Sequence, residues 1–283
     1  PFEIPLSLPF YITMMLASSA MGFAPTAPVA APVTSVSRAA APAMETKADL
    51  VALAEKLNPV VGFWDPMGLA EYDQWSQGEE AAIGFLRHAE IKHGRIAMFA
   101  FVGYVVQSNG IHWPWALETS GLTFGDISAA GSPPDQFDAL SSAAKIQFFT
   151  VIAFLEFLGE SSYALEQSGE KHYMRGGKPG FYPSLKKVVP HPVPFDLFDP
   201  FGLSKNASPE KKERGLLAEI NNGRLAMLGI MGFVAEQKVP GSVPGLGSLG
   251  IKPYAGEVMA PFSATNSDLP YVSEMLGFQS LWN

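Results

Sequence analysis

A ten-residue segment occurs twice in the chain and constrains the fold more than any other feature. The first copy, AEIKHGRIAM, occupies residues 89–98, and the second, AEINNGRLAM, occupies residues 218–227. The offset is constant at 129 residues (219 − 90), and each copy runs on into an apolar stretch. A repeat of this length predicts two equivalent elements that pack against each other about a pseudo-twofold axis.

Each copy of the repeat is preceded by a related Asp-Pro segment. These lead-in segments read FWDPMGL at residues 63–69 and LFDPFGL at residues 197–203. They stand 25 residues (90 − 65) and 20 residues (219 − 199) before the repeat glutamates, so the first copy carries an insertion. Gly and Pro at these positions predict turns that lead into helices.

Composition narrows the class of protein. Apolar residues make up 47% of the 283 residues and charged residues only 16%, against a usual charged share of roughly 25%. The net charge of −8 argues against nucleic acid as a partner. Because the chain has no cysteine, disulfides, thiolate metal sites and a cysteine nucleophile are excluded.

Hydrophobic patterning predicts three long helices in one domain that covers residues 44–283. An N-cap Ser208, followed by Pro209 and an acidic residue, predicts the start of the third helix. Short amphipathic helices are predicted at 49–57 and 269–282, and loops at 108–139 and 168–194. The long helices are expected at about 79–107, 141–167 and 209–238.

The charges of the two connecting loops indicate that these helices cross a membrane. Residues 108–139 contain acidic residues and no Lys or Arg, whereas residues 167–208 contain six basic and three acidic residues. The positive-inside rule then predicts three spans, with the N-terminus on the cytoplasm-like side. No apolar run reaches the roughly 18–20 residues of a simple spanning helix, so a soluble helical bundle is the alternative. The predicted fold is an all-α membrane protein in which the first and third of three transmembrane helices cross, with short amphipathic helices besides.

The first 43 residues differ from the rest of the chain. An apolar patch at 10–20 precedes a segment rich in Ala, Pro, Ser and Thr, whose single basic residue is Arg38. This pattern predicts a signal peptide followed by a transit peptide. A disordered N-terminal linker is the alternative interpretation.

The repeat places one Glu and one Arg in each of two predicted spans. A charge in hydrocarbon is expensive without a partner. The repeat supplies partners by symmetry, so we expect Glu90 to pair with Arg224 and Glu219 with Arg95. The glycine that precedes each arginine lets the two helix backbones approach closely.

His93 and Asn222 lie three residues after the repeat glutamates, on nearly the same helix face. Imidazole, amide oxygen and carboxylate are single-point Lewis bases, and chlorophyll magnesium, held in-plane by its macrocycle, needs only one such ligand. Hydrogen bonding between helices is the simpler alternative. A di-iron enzyme would need two Glu-x-x-His motifs and two further glutamates. The second copy has Asn222 instead, and the arginines would oppose a dicationic cluster, so an enzyme is not predicted.

The pattern E-x-x-H-x-R at 90–95, with E-x-x-N-x-R-L-A-M at 219–227, resembles the chlorophyll-binding signature of the light-harvesting complex superfamily. The resemblance covers about residues 45–283. Three further segments resemble the chlorophyll a/c branch found in red-lineage plastids: HYMRGGKPG at 172–180, HPVP at 191–194 and VPGSVP at 239–244. The IKPY segment at 251–254 is similar to dinoflagellate members.

The resemblance implies a set of chlorophyll magnesium ligands on all three helices. Gln147 and Glu156 are the candidates on the second helix, and because their spacing of nine differs from the eight of the green-plant pattern, Glu160 is an alternative. The family's late glutamine falls at position 236, where this chain has Glu236 followed by Gln237. The only metal expected is the magnesium of chlorophyll. Its expected ligands are Glu90, His93, Gln147, Glu156, Glu219, Asn222 and either Glu236 or Gln237.

The resemblance also implies function, cofactors, partners and location. Chlorophyll a, chlorophyll c and carotenoids (fucoxanthin or peridinin, with a diadinoxanthin-like xanthophyll) would absorb light and pass excitation to a photosystem, without catalysis. The lead-in segments would meet carotenoid ends, or be simple helix-entry turns. The expected partners are the core of photosystem I or II, other antenna subunits and thylakoid lipids. The expected location is the plastid thylakoid membrane, with several spans and a stromal N-terminus, and a photoprotective member is the alternative.

Overall fold

The computed structural model describes residues 45–73, 76–189, 196–258, 260–266 and 268–273. Within these ranges the chain is helical, and its only β-structure is an isolated bridge between Ala116 and Thr123. The α-helices are α1 Lys47–Leu57, α2 Glu79–Ser108, α3 Phe124–Ala129, α4 Pro133–Asp138, α5 Ser142–Glu160, α6 Ser162–Gln167, α7 Leu185–Val188 and α8 Pro209–Lys238. Short 3-10 turns are formed by Tyr173–Arg175, Leu246–Leu249 and Ala264–Asn266.

Three sequence predictions lie wholly or mostly outside the described residues. They are the targeting segment at 1–43, the HPVP segment at 191–194 and most of the amphipathic segment at 269–282. The described residues divide into two compact units. The first unit comprises 45–93 and 157–221, and the second comprises 94–156 and 222–273.

In the first unit, hydrogen bonds anchor both ends of α1. A capping box starts the helix, because the Asp49 N–H donates to the Thr46 hydroxyl while the Thr46 N–H donates to the Asp49 carboxylate at 2.9 Å. Next to the cap, Glu45 accepts from Arg87 Nε of α2 at 3.2 Å. At the other end, Asn221 Nδ2 of α8 donates to the carbonyl oxygen of Leu57 at 3.2 Å. The amphipathic helix is therefore fixed to both long helices of its unit.

The second long helix is shorter than predicted. It ends at Glu160 instead of running to about residue 167, and residues 162–167 form the separate helix α6. The backbone of Ser161 is extended (φ −69°, ψ 119°), which breaks the helical hydrogen bonds there. The Glu160 carboxylate is held by hydrogen bonds from His172 Nε2 and Tyr173 OH, both at 2.9 Å. The chain turns at this point because these contacts fix the end of α5.

The predicted loops contain short helices that the sequence pattern did not indicate. Within 108–139 the capping pairs Thr123–Asp126 and Ser132–Asp135 start α3 and α4. The loop predicted at 168–194 contains the Tyr173–Arg175 turn and α7. Each of these helices has six residues or fewer, which is too short to show a helical period in hydrophobicity.

In the second unit, α2 and α8 meet backbone to backbone at the repeat glycines. A Cβ atom added to Gly94 would lie 3.0 Å from the Cα of Gly223, so neither position accommodates a side chain without a shift. Further along, the ring of Phe233 stacks on Tyr104 and Phe101, with centroids 4.6 and 5.2 Å apart. These aromatic contacts form the core between the two helices.

A polar cluster fixes the C-terminal segment to the start of α5. Lys145 Nζ, on a side chain that is fully buried, donates to Asn266 Oδ1 at 2.6 Å. Tyr254 OH donates to Asp138 Oδ2 of α4 at 2.7 Å, and burial together with this carboxylate raises the pKa of Tyr254. Among the described helices, α5 is long and apolar enough to cross a membrane.

Candidate functional site

The first repeat presents His93 on an exposed face of α2. Its Nδ1 lies 2.8 Å from the carbonyl oxygen of Ala89, one helical turn back. A carbonyl oxygen can only accept, so Nδ1 carries the proton and Nε2 is left with its lone pair. This is the arrangement that orients a histidine as a metal ligand.

The second repeat separates the roles of two neighbouring asparagines. Both are exposed on α8, but the Asn221 side chain donates to the Leu57 carbonyl oxygen and so connects α8 to α1. The same division holds in the first copy, where Lys92 Nζ, equivalent to Asn221, lies 3.6 Å from Glu160 Oε1. In both copies, therefore, the residue before the predicted ligand holds a neighbouring element, and the ligand itself stays accessible.

Both repeat glutamates, Glu90 and Glu219, are half-buried. Glu90 Oε2 accepts from Arg87 Nη1 at 2.8 Å, a contact that the sequence analysis missed. The i, i+3 spacing could have indicated it, but Arg87 has no counterpart in the second copy, where residue 216 is leucine. Glu90 is thus held by an arginine on its own helix. The predicted pairing across the repeat with Arg95 and Arg224 stays a prediction.

The candidates on α5 differ in how available they are. Gln147 and Glu156 are exposed on the helix surface. Glu160, the alternative to Glu156, is engaged by His172 and Tyr173 and lies close to Lys92. Glu160 is exposed as well, but its carboxylate is used to hold the end of α5.

The HYMRGGKPG segment packs against α2 around His88, which the sequence analysis did not identify. The His88 ring is buried and stacks on Tyr173, with ring centroids 3.9 Å apart. The Gly180 N–H donates to His88 Nδ1 at 3.1 Å. Gly84 allows this approach, because a Cβ there would lie 2.5 Å from the Tyr173 carbonyl oxygen. The segment therefore braces the start of α2 against the end of α5.

The two candidates at the end of α8 are both buried. Glu236 is 4% exposed, and its two oxygens accept from the backbone N–H groups of Gly241 and Val243. Gln237 is 2% exposed, and its Nε2 donates to the carbonyl oxygen of Lys252. Neither residue shares the accessibility of His93 or Asn222.

The Asp-Pro lead-in segments form turns with the same hydrogen bonds. Asp65 accepts from the N–H groups of Leu69 and Ala70 at 3.0 and 2.9 Å. Asp199 accepts from those of Leu203 and Ser204 at 2.6 and 2.8 Å. The glycine of each turn has a positive φ, 66° and 69°, which a residue without Cβ adopts readily. The two Asp-Pro segments therefore resemble each other in backbone geometry as well as in sequence.

Each of these turns presents large apolar side chains outward. Trp64 and Met67 are 76% and 78% exposed, and Phe198 and Phe201 are 72% and 74% exposed. Exposed apolar groups of this size are typical of a surface that meets a membrane, a cofactor or another protein. A purely structural helix-entry turn does not require them.

The exposed donors define the class of site. His93 Nε2, the Asn222 amide, the Gln147 amide and the Glu156 carboxylate are separate donors on helix surfaces, and the described residues contain no group of three or more His, Cys, Asp or Glu that could hold a metal ion. Separate single donors suit metals that bring their other ligands with them. The described residues thus form an α-helical protein whose candidate ligands are separate side chains on helix surfaces.

Comparison with known proteins identifies the family. The sequence model of the family described as "Chlorophyll A-B binding protein" matches residues 51–238. The chain therefore belongs to the chlorophyll a-b binding protein family, which consists of membrane proteins.

Three similar proteins come from algae with red-lineage plastids. The chain is 33% identical to fucoxanthin-chlorophyll a-c binding protein F of Phaeodactylum tricornutum over 182 residues, which is 64% of this chain and 76% of the relative. It is 32% identical to a fucoxanthin-chlorophyll a-c binding protein of Trieres chinensis, over 68% of this chain and 81% of the relative. It is 34% identical to fucoxanthin-chlorophyll a-c binding protein A of Macrocystis pyrifera, over 63% and 69%. The predicted resemblance to the chlorophyll a/c branch is confirmed.

Proposed function

We propose that the protein is a light-harvesting antenna of the plastid thylakoid that binds chlorophyll a, chlorophyll c and carotenoids. Membership of the family and the chlorophyll a-c relatives support this function. The observation on this chain that supports the proposed function is the equivalence of His93 and Asn222. Both are exposed at the same repeat position, beside a neighbour that is used as a tether. Bound pigments supply light absorption and excitation transfer, and the protein catalyses no reaction.

The proposed magnesium ligands are residues whose donor atoms reach a helix surface. His93 is oriented by Ala89, and its Nε2 lone pair points away from that bond. Arg87 offsets part of the charge of Glu90 through its hydrogen bond to Oε2. The proposed set is Glu90, His93, Gln147, Glu156, Glu219 and Asn222. The pairing of Arg95 and Arg224 with the glutamate of the opposite copy belongs to the same proposal and rests on the sequence repeat.

We also propose that α2, α5 and α8 each span the membrane and that α2 and α8 cross about a pseudo-twofold axis. The apolar length of α5 supports one span. The loop charges and the close approach of Gly94 and Gly223 support the other two. The N-terminus of the pigment-binding domain is then stromal. In this proposal residues 1–43 form a targeting segment and residues 44–283 form the pigment-binding domain. The net charge of −8 argues against nucleic acid as a partner. The proposed partners are a photosystem core, other antenna subunits and thylakoid lipids.

The Asp-Pro turns are proposed to meet the ends of carotenoids. Their exposed rings and apolar side chains, Trp64 and Met67 in one turn and Phe198 and Phe201 in the other, are a suitable surface for polyene end groups. Relatives named for fucoxanthin support fucoxanthin as the main carotenoid over peridinin.

Pigment analysis of the purified protein tests the proposed function. The wild type is expected to carry chlorophyll a, chlorophyll c and carotenoid together. The double variant His93→Leu, Asn222→Leu is expected to lose two chlorophylls per chain while keeping its helical circular dichroism. The matched variant His93→Gln, Asn222→Gln retains a side-chain oxygen at each position and is expected to keep them.

A colourless wild-type protein would overturn the proposal. So would a double leucine variant that retains its full chlorophyll content, because the repeat would then only lock helices together. Excitation spectra of chlorophyll a fluorescence add a functional readout. A light-harvesting protein shows bands of chlorophyll c and carotenoid in those spectra, since energy absorbed by them reaches chlorophyll a.

A further inference from the structure

The last turn of α8 is built differently from the other proposed ligand positions. Glu236 Oε1 accepts from the Gly241 N–H at 2.7 Å, and Oε2 accepts from the Val243 N–H at 3.0 Å. Both oxygens are thus used to hold the chain that follows the helix. The left-handed backbone of Gly241 (φ 84°) starts this return of the chain. Charge-assisted bonds of this kind are among the stronger hydrogen bonds in proteins.

Gln237 continues the same attachment. Its side-chain Nε2 donates to the Lys252 carbonyl oxygen at 3.2 Å, and its backbone carbonyl oxygen accepts from the Tyr254 N–H at 3.1 Å. Tyr254 in turn donates to Asp138 of α4. Two adjacent residues, Glu236 and Gln237, therefore join the end of α8 to the segment 239–254, and Tyr254 joins this segment to the end of α4.

Burial decides whether a pigment can reach these residues. A carboxylate that already accepts two hydrogen bonds still has lone pairs, but a macrocycle several ångströms across must approach its ligand over open surface. Glu236 and Gln237 are 4% and 2% exposed. His93, Gln147, Glu156 and Asn222 are all exposed. The Gln237 Oε1 has no hydrogen-bond partner among the described residues, but it is enclosed by protein, so a macrocycle cannot approach it. The residues at the end of α8 therefore do not fit a chlorophyll ligand.

We infer that the last turn of α8 holds no chlorophyll through its side chains, and that Glu236 and Gln237 are positioning residues that dock the segment 239–254. This inference rests on the proposed function and refines its pigment count. The magnesium ligands of α8 are then Glu219 and Asn222 alone. The glutamine that the resemblance implies at position 236 has been replaced by a capping carboxylate.

The test compares Glu236→Ala and Gln237→Leu with Asn222→Leu and the wild type. Glu236→Ala and Gln237→Leu are expected to keep the wild-type chlorophyll-to-protein ratio, whereas Asn222→Leu loses one chlorophyll. Glu236→Ala is also expected to lower the midpoint of thermal unfolding by about 2–4 °C. Limited proteolysis within 239–254 should become several-fold faster in Glu236→Ala and stay unchanged in Asn222→Leu.

Loss of one chlorophyll in Gln237→Leu or Glu236→Ala, with unchanged proteolysis of the segment, would overturn the inference. Unchanged proteolysis and thermal midpoint in Glu236→Ala would overturn it equally, whatever pigments are bound. A full chlorophyll content in Asn222→Leu would instead contradict the proposed function. The two failures are therefore distinguishable, because the proteolysis readout does not depend on pigment.

Discussion

Neighbouring residues in the repeat have separate tasks. Asn221 and Asn222 are chemically identical, but within the part of the chain that the structure describes it is the Asn221 side chain that donates to a backbone group, the Leu57 carbonyl oxygen. In the first copy Lys92 takes the tethering position, close to Glu160. The tether can therefore be an amide or an ammonium group, since its task is only to reach a nearby acceptor.

The adjacent asparagines give a matched pair of variants. Asn221→Leu is expected to lower the free energy of unfolding by about 1 kcal/mol, the net value of one hydrogen bond, with no change in pigment content. Asn222→Leu is expected to lose one chlorophyll per chain. Thermal unfolding and pigment extraction on both proteins check this. A chlorophyll lost from Asn221→Leu alone would show that the two roles are assigned the wrong way round.

Arg87 is the residue-scale contact that joins α1 to α2. Its side chain is 10% exposed and bridges Glu45 and Glu90, which are 33% and 26% exposed. Because both carboxylates are partly solvated, we expect Arg87→Ala to cost about 1–2 kcal/mol, less than a fully buried pair. Chemical unfolding followed by circular dichroism measures this cost.

Arg87→Lys is the control for that variant. A lysine keeps the charge but lacks the two nitrogen positions with which arginine contacts both carboxylates at once. Its stability should fall between those of the wild type and Arg87→Ala. Equal stability of Arg87→Ala and the wild type would show that the bridge contributes nothing to the free energy of unfolding.

Sequence reasoning identified the repeat residues but not their supports. Glu90, His93 and Asn222 stand out because the pattern recurs at a fixed offset. Arg87 and His88 do not recur, and their partners Glu45 and Gly180 lie 42 and 92 residues away. Spacing along one helix carries no information about such distant partners.

At the scale of elements, the contact between α2 and α8 depends on two glycines. A Cβ on Gly94 or Gly223 would lie 3.0 or 2.9 Å from the Cα of the other. The atoms that such a Cβ would meet belong to the backbone, which cannot move aside as a flexible side chain can. We expect Gly94→Ala and Gly223→Ala each to cost about 1–3 kcal/mol, as overpacked positions do.

Gly103 is the control for this prediction. It lies on the same helix, and a Cβ there would meet nothing within 4 Å. Gly103→Ala should be neutral or slightly stabilising, because alanine favours helix. Thermal unfolding of the three variants makes the comparison. Equal stability of Gly94→Ala and Gly103→Ala would mean that the helices are not in contact at the repeat.

The Asp-Pro turns give an element-scale prediction on pH. The Ala70 N–H, with that of Leu69, holds the pKa of Asp65 below its ordinary value, and the Ser204 hydroxyl does the same for Asp199. A lowered folded-state pKa means that the stabilisation is fully present above the ordinary pKa of about 3.9 and is lost as pH falls through the lowered value. We therefore expect both turns to stay intact from pH 8 to 5 and to open only in more acidic solution, as the pH falls through the lowered pKa.

Trp64, adjacent to Asp65, reports on the first turn. The fluorescence difference between the wild type and Trp64→Phe should be constant above pH 5 and change at lower pH. In Asp65→Asn, which has no carboxyl group to titrate, this acid transition should disappear. A transition centred above pH 5 would contradict the hydrogen bonds described for the turn.

The sequence predicted the long helices better than the short ones. α2 and α8 have 30 residues each, long enough for caps and apolar stretches to agree with each other. The second helix was predicted too long because Ser161 and Glu160 have no strong helix-breaking signal. The break depends on His172 and Tyr173, which a reading of the local sequence does not connect to this position.

At the scale of the whole molecule, the proposed topology places the two connecting loops on opposite sides of the membrane. The absence of cysteine from the chain makes this directly testable. Thr119→Cys and Lys171→Cys each introduce one thiol at an exposed position, in the first and second loop respectively. With stroma-side-out thylakoid vesicles, a membrane-impermeant maleimide should label Lys171→Cys only.

Detergent-opened vesicles are the control, and both variants should then be labelled. Labelling of both residues in intact vesicles, or of Thr119→Cys alone, would contradict the three-span topology. The sequence predicts this topology from the charges of the two loops. Hydropathy does not identify α2 and α8 as spans, because both helices carry too many charged residues.

The close approach of Gly94 and Gly223 also has a consequence in time. The two residues are 129 positions apart (223 − 94), and contacts of such separation form late in folding because a long loop must close first. Contacts that are local in sequence, such as the capped start of α1 and the Asp-Pro turns, can form before that loop closes. The junction between the two copies of the repeat is therefore expected to be completed after the elements on either side of it.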